Sequence, residues 1–472
     1  MTHVVEESGR RETARARTGE RPQNIARYVA EFERFDHAAA SRQPSWLAEA
    51  RRAAMARFSE LGFPTTRQEA WRFTSVAPIA EATTELARDG HASIARDALG
   101  SVNLDDGIAL AVFINGRFAP WLSNVSALPQ GVVVSSLASA LEGGDELVEA
   151  HLTRMADHAN QPFVALNTAF LEDGAFVSIP AHTILSEPLH LLFISTGQPD
   201  TTAVSHPRVL IIAGEHSQAQ IVESYAGAGD RDFQRGARTE TPERPYFTNA
   251  VTELVAGAQA VVDHYKLQRE SAHAFHVGSL YVAARRGATV SSHSLTLGGK
   301  LVRNDVMAAL RGEGIDCTLN GLYLSGGTAL VDNHTTIDHA LPHCGSHEVY
   351  KGILWGRARA VFNGKIIVRP DAQKTDAKQT NKALLLSDDA QVNTKPELEI
   401  FANDVKCTHG AAIGQLDEDA LFYLRTRGLG RAEARAMLIH AFAGDIISRV
   451  KVPALRAQLE AALVMQLPKD VT

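Results

Sequence analysis

Cysteine is scarce in this 472-residue chain, which carries only Cys317, Cys344 and Cys407. Three thiols cannot build a disulfide framework, so a reducing, cytoplasmic setting is expected. Positive charge is not in excess. The net charge of -7 argues against a nucleic-acid binder, because phosphate recognition needs a concentrated positive surface. No apolar run reaches the roughly 18 residues of a membrane-spanning helix. Runs such as 191–194 and 209–213 are only strand-sized. The first 21 residues hold several arginines, but Glu6, Glu7, Glu12 and Glu20 interrupt them and the apolar segment of a secretory signal is missing. Residues 1–23 therefore read as a disordered extension.

Several catalytic signatures are missing too. Gly298-Gly-Lys300 is followed by Leu301, and Gly364-Lys365 by Ile366, so neither completes a phosphate loop. No GxSxG elbow and no HExxH motif occurs. Asp316, Asp332 and Asp338 lie in strand-like sequence and bring to mind the paired carboxylates of a glycan enzyme, but aromatic residues make up only 6% of the chain and offer few sugar platforms.

Three regimes follow one another along the chain. Residues 24–170 are helical and then mixed. Leu47, Ala50, Ala54, Phe58 and Leu61 fall on one helix face after Pro44, and Gly62 with Pro64 ends that run. A short strand is expected over 108–114 and helix over 137–157. Residues 171–410 change to short alternating segments punctuated by Gly, Asn and Asp, with no amphipathic helix. Segments 219–225 and 259–265 resemble each other, as do 319–324 and 362–367. Their offset of about 40 residues suggests two coils of a 20-residue solenoid. A parallel β-helix is favoured over a propeller, whose blades repeat more strongly, and over a single sandwich, which needs fewer strands. Residues 411–472 are helical again. Their three apolar stripes are Leu416, Ala420, Leu421 and Leu424, then Ala434, Leu438, Ala441, Phe442 and Ile446, then Leu455, Leu459, Ala462 and Leu463.

The most informative stretch is 403–411, NDVKCTHGA, at the join of the second and third regimes. A strand period of two puts Cys407 and His409 on one face. Both ligate soft or borderline metals, but a closed tetrahedral site needs about four ligands. The pair is either half of a metal site completed elsewhere or a buried thiol beside a hydrogen-bonded histidine. His334, His339, His343, Cys344 and His347 make a rival cluster with more donors. The adjacent His343 and Cys344 diverge on a strand, Pro342 breaks the segment, and no CxxC pair accompanies them, so hydrogen-bonding histidines are the better reading. Cys317 sits in an alternating run and reads as a core thiol.

Several segments together resemble the SufB/SufD family of iron–sulfur cluster assembly proteins. They are 64–74 (PTTRQEAWRFT), 163–179 (FVALNTAFLEDGAFVSI), 332–339 (DNHTTIDH), 350–354 (YKGIL), the run from 372–376 (AQKTD) to 395–400 (KPELEI), and 404–428. The resemblance spans about residues 40 to 450. Gly410 after Cys407-Thr-His409 is similar to the SufD branch, since the SufB branch has an acidic residue there. The resemblance implies a mainly β fold: a right-handed parallel β-helix core (171–410) flanked by N-terminal (24–170) and C-terminal (411–472) α-helical domains. It also implies a non-enzymatic scaffold that pairs with SufB and carries the ATPase SufC on its C-terminal helices. A transient iron–sulfur cluster would be shared across the SufB–SufD interface, with Cys407 and His409 as this chain's metal ligands. The alternative is a homodimer of the same fold that binds and delivers iron without SufB.

Overall fold

The computed structural model describes residues 23–39, 44–87, 107–126, 128–228 and 244–467, together with 94, 99 and 102–104. The expected extension at 1–23 lies almost wholly outside the described residues.

The helices Gln23–Ala39 and Ser45–Leu61 lie near the beginning of this set. Pro44 is extended before the second, and Gly62 ends it at φ 64° with its N–H returned to the Phe58 carbonyl. Tyr28, Phe32, Phe58 and Phe170 join the two to the helix Pro162–Ala169. The helix expected over 137–157 is instead two short ones, Leu137–Glu142 and Glu146–His151. Gly144 turns left-handed at φ 68°, and Asp145 restarts the chain by accepting the amides of Leu147 and Val148. A strand absent from the sequence reading, Thr84–Leu86, pairs in parallel with Thr202–Ser205.

Beyond these elements the chain is a parallel β-solenoid with two long sheets, and from Arg208–Ala213 onward consecutive strands alternate between them. This is the mainly β, helix-flanked architecture anticipated above. The coil is longer than 20 residues, however. Leu301 lies on Leu330 and Leu330 on Arg359, a repeat of 29 residues. Each such coil holds two ten-residue strands, for example Leu330–His339 and Gly345–Leu354, so a 20-residue coil would leave no turns. The similar segments 319–324 and 362–367 lie in different sheets, so their likeness reflects a shared strand pattern and not a stacking position.

Alternation decides what each strand buries. Val331 and Ile337 point between the sheets, whereas Leu330 faces outward to Trp71 and Phe163 of the N-terminal region. On the other sheet Tyr265, Leu295, Leu322 and Ile353 face the helices Arg431–Ile447 and Pro453–Gln466 through Ile439, Ile446, Leu455 and Leu459. Each such aliphatic side chain contributes about 1.5–3 kcal/mol on burial. Lys451 anchors this helical hairpin: its ammonium reaches both oxygens of Asp263 at 2.9 Å, and its N–H donates to the Tyr265 hydroxyl. One corner of the solenoid is a ladder of left-handed residues, His182, His216, Gln259, Gly287, Gly314, His343 and Lys374. Each gives its N–H to a carbonyl on the next coil.

Inside, Tyr350 lies in register with Gly321, and Tyr323 with Gly352. Each glycine makes room for the other coil's ring, and a Cβ at Gly352 would stand 2.1 Å from the Tyr323 ring. Gly352→Ala should therefore lower stability by roughly 1–3 kcal/mol through overpacking. A reduced urea midpoint with unchanged slope would register this.

Candidate functional site

The solenoid stops at the strands Gln391–Ile400 and Lys406–Gly414, which end their respective sheets. Most of their residues are exposed or half-buried, in contrast to the preceding coils. The turn between them is fixed to the coil beneath. The Lys374 N–H donates to the Asp404 carbonyl at 2.6 Å, the Asp404 N–H to Gln373 Oε1 at 3.0 Å, and the Lys374 ammonium pairs with the Asp404 carboxylate. Lys406 then gives its N–H to Thr375, which sets the register of the last strand.

That register places Cys407 beside Ala377 and His409 beside Gln379. Both neighbours are buried interior residues, so Cys407 and His409 share the inward-facing side of a strand that, among the described residues, has no further coil above it. Cys407 is half-buried against Val405, Leu398 and the core residues Ile366 and Ala377. His409 is exposed. Burial, with the nearby Asp376 carboxylate, raises the Cys407 thiol above its ordinary value, although the Ala377 backbone amide opposes this. A cation beside it would reverse the balance, because the thiolate is the ligand form. A Cβ at Gly410 would meet nothing within 4 Å, so the backbone does not demand glycine there. Two donors on one strand supply half of a tetrahedral set.

The rival histidine cluster is dispersed. His334 points outward and pairs with Asp332 at 3.1 Å. His339 points inward to the Ser346 hydroxyl, and burial lowers it to about 4. His343 holds the left-handed corner, Cys344 is buried with its sulfur 3.2 Å from the Gly312 carbonyl, and His347 is exposed on the other sheet. Among the described residues, no group of three or more His, Cys, Asp or Glu side chains could hold a metal. Asp332 is held by Arg303 and Thr74, and Asp338 by Arg369, so these two carboxylates serve as ion-pair partners. Cys317 is a buried core thiol.

Two features were missed from the sequence. The first is a polar interior. Glu223 accepts hydrogen bonds from Tyr225 and Thr252 and lies 3.2 Å from His264, while Glu270 lies 2.7 Å from His276. Nearer the end, Gln379 donates to Glu348 at 2.7 Å. Glu223, His264, His276 and Glu348 stand at inward positions of strands whose alternation predicts apolar residues, and Glu270 just follows the strand Val261–Arg269, a signal visible only once the register is known. The second is the exposed surface of Phe422, Tyr423 and Met437 on the helices Glu418–Thr426 and Arg431–Ile447. The adjacent Phe422-Tyr423, outside the predicted stripe, was its legible sign.

Comparison with known proteins fits this architecture. Residues 193–442 match the family model described as the SUF system FeS cluster assembly SufBD core domain, and residues 23–191 match the SufBD protein N-terminal region. The chain belongs to the SufBD family. An iron–sulfur cluster assembly SufBD family protein of Synechocystis is 35% identical over 88% of this chain and 90% of its own length. The iron–sulfur cluster assembly protein SufD of Escherichia coli is 30% identical over 86% of this chain and 90% of its own. SufD of Bacillus subtilis is 23% identical over 89% and 94%. The SufBD core model thus covers both terminal strands, with half-buried Cys407 and exposed His409. Among the described residues, no helix of this SufBD chain is long and apolar enough to cross a membrane.

Two outcomes follow from the site. Native thiol labelling should modify Cys407 first, because Cys317 is buried and raised to about 12 by burial. The Cys407 rate should keep climbing with pH beyond the ordinary thiol range of about 8.5, and equal labelling of all three thiols in the folded chain would contradict this. Burial also raises the Glu348 carboxyl from 4.5 to about 7, against hydrogen bonds from Thr335 and Gln379. The folded value exceeds the unfolded one, so this contribution to stability is complete below pH 4.5 and is lost as pH rises to about 7. Glu348→Gln should remove a pH-dependent loss on the order of 3 kcal/mol across that window, read by urea unfolding at several pH values.

Proposed function

We propose that this SufBD chain is a SufD-type, non-enzymatic scaffold for iron–sulfur cluster assembly, with the cluster as its cargo. The observation that carries this reading is the half-site of Cys407 and His409 on a terminal strand whose outer edge has no partner among the described residues. Two ligands require two more, and a bare strand edge recruits another strand. A SufB partner seated on the open end would pair its own terminal coil with this one and bring the missing thiolate. His409, exposed and unencumbered by neighbouring carboxylates on its strand, is the stronger ligand, and Cys407 stands beside it. The relatives named SufD support the branch, and Gly410 agrees with it.

ATP hydrolysis is assigned to a SufC partner, because this sequence has no complete phosphate loop. The exposed Phe422, Tyr423 and Met437 give SufC an apolar surface on the C-terminal helices. Those helices connect directly to the last strand, since Gly414 and Glu418 are only a short turn apart. Motion of SufC during its ATP cycle would strain the SufB–SufD seam and open Cys407 and His409 to iron and sulfur. The assembly would work in the cytoplasm.

Co-expression with SufB and SufC tests the proposal. His409→Ala should leave the complex intact and lower cluster yield at least tenfold, with Cys407→Ser less severe; the loss of a ligand commonly costs this much or more. Normal yield from the His409→Ala complex would sink the role given to His409. The same bare edge would also accept a second copy of this chain. A stable homodimer that retains stoichiometric iron after purification alone would favour an iron-delivery homodimer over the scaffold.

A further inference from the structure

Beneath His409 the interior column of the sheet reads Gln379 and then Glu348, each in register with the next. Both are buried, Gln379 at 2% exposure and Glu348 at 1%. The Gln379 amide nitrogen donates to Glu348 Oε2 at 2.7 Å. Above about pH 7 the Glu348 carboxylate is ionised and only accepts hydrogen bonds, so it fixes which end of the amide faces it. The other end, Gln379 Oε1, is then turned away from Glu348. It is buried and has no hydrogen-bond partner among the described residues. A buried acceptor of this kind is costly unless a donor reaches it.

The packing around this amide is specific. Gly364 on the facing strand leaves the space that Gln379 fills, and a Cβ there would stand 2.1 Å from Gln379 Nε2. Asn381, the next inward residue, gives its own amide to Thr394 at 2.9 Å. Neighbouring strands lie about 4.8 Å apart, so the residue adjacent to Gln379 on the outer side is His409. A neutral imidazole has one N–H and one lone pair. If the N–H is given to Gln379 Oε1, the lone pair is left for a metal. A ligating histidine is generally oriented in this way by an acceptor behind it.

We propose that Gln379, locked in orientation by Glu348, is a positioning residue that accepts the ring N–H of His409 and selects the tautomer whose free nitrogen faces out of the solenoid. This inference rests on the reading of His409 as a cluster ligand. It assigns the two residues below it a task that packing alone does not require. Glu348 acts through Gln379 and does not touch the cargo.

The test uses the full chain labelled with ¹⁵N-histidine, with long-range ¹H–¹⁵N correlations recorded at pH 8. The His409 signals are assigned by their loss in His409→Gln. The wild type should show a single neutral tautomer at His409. Gln379→Leu should shift both ring nitrogens toward the averaged values of free imidazole. Glu348→Gln should do so in part, because an amide at that position satisfies Gln379 in either orientation. Gln379→Met and Glu348→Gln carry the test if Gln379→Leu does not fold. In the complex co-expressed with SufB and SufC, loss of the Gln379 amide should lower cluster yield roughly 10–100-fold. Unchanged His409 ring shifts in a natively folded Gln379 variant overturn the proposal. If the shifts move but His409→Ala assembles clusters normally, the positioning stands and the ligand reading falls.

Discussion

Parallel in-register stacking is the constraint on which this molecule depends. Each strand inside the solenoid satisfies its backbone groups on the coil before and the coil after, and its inward side chains rest on their register partners. The corner ladder from His182 to Lys374 repeats the rule in the turns. Such a fold has no natural end. At the N-terminal side the chain closes it with antiparallel strands, Val133–Ser136 and Arg117–Phe118, and covers the outer faces with helices. At the C-terminal side Lys406–Gly414 is simply the last strand. The proposed function grows from that unfinished coil.

The interior is a second consequence of stacking. A column of inward residues holds whatever chemistry its neighbours can satisfy, so charge can be buried if it is paired along the column. Glu223 with His264 and Glu348 with Gln379 follow that pattern, and Glu270 with His276 pairs across the turn between two strands. Glycines at inward positions make the necessary room, as Gly364 does for Gln379 and Gly278 for Lys266. Replacing these networks by apolar residues of similar volume would suit stability alone equally well. Their persistence toward the open end links the core to the site.

Much of the architecture was legible in residues. Pro44 and Gly62 bounded a helix, the stripes Leu455, Leu459 and Leu463 marked another, and the two-residue period of the middle regime marked strands. The 29-residue coil was not legible, because a solenoid buries by alternation and needs no sequence repeat; the apparent likeness of 319–324 to 362–367 crossed from one sheet to the other. The helix expected over 137–157 failed at Gly143-Gly144, where local backbone freedom overrode helical periodicity. At the site, the spacing of Cys407 and His409 was enough to place them on one face. The dispersal of His334, His339, His343, Cys344 and His347 required their positions on two sheets and a corner.

The sequence by itself determined the three regimes, the shared face of Cys407 and His409, and the family to which the motifs belong, because each rests on local spacing or on residues that stand together in the chain. Tertiary structure alone decided that the two donors sit at the uncovered end of a column and that Gln379 and Glu348 stand beneath them. Those facts depend on register between strands about thirty residues apart, and register is set by the coil beneath, through contacts such as Lys374 with Asp404, which no local pattern records.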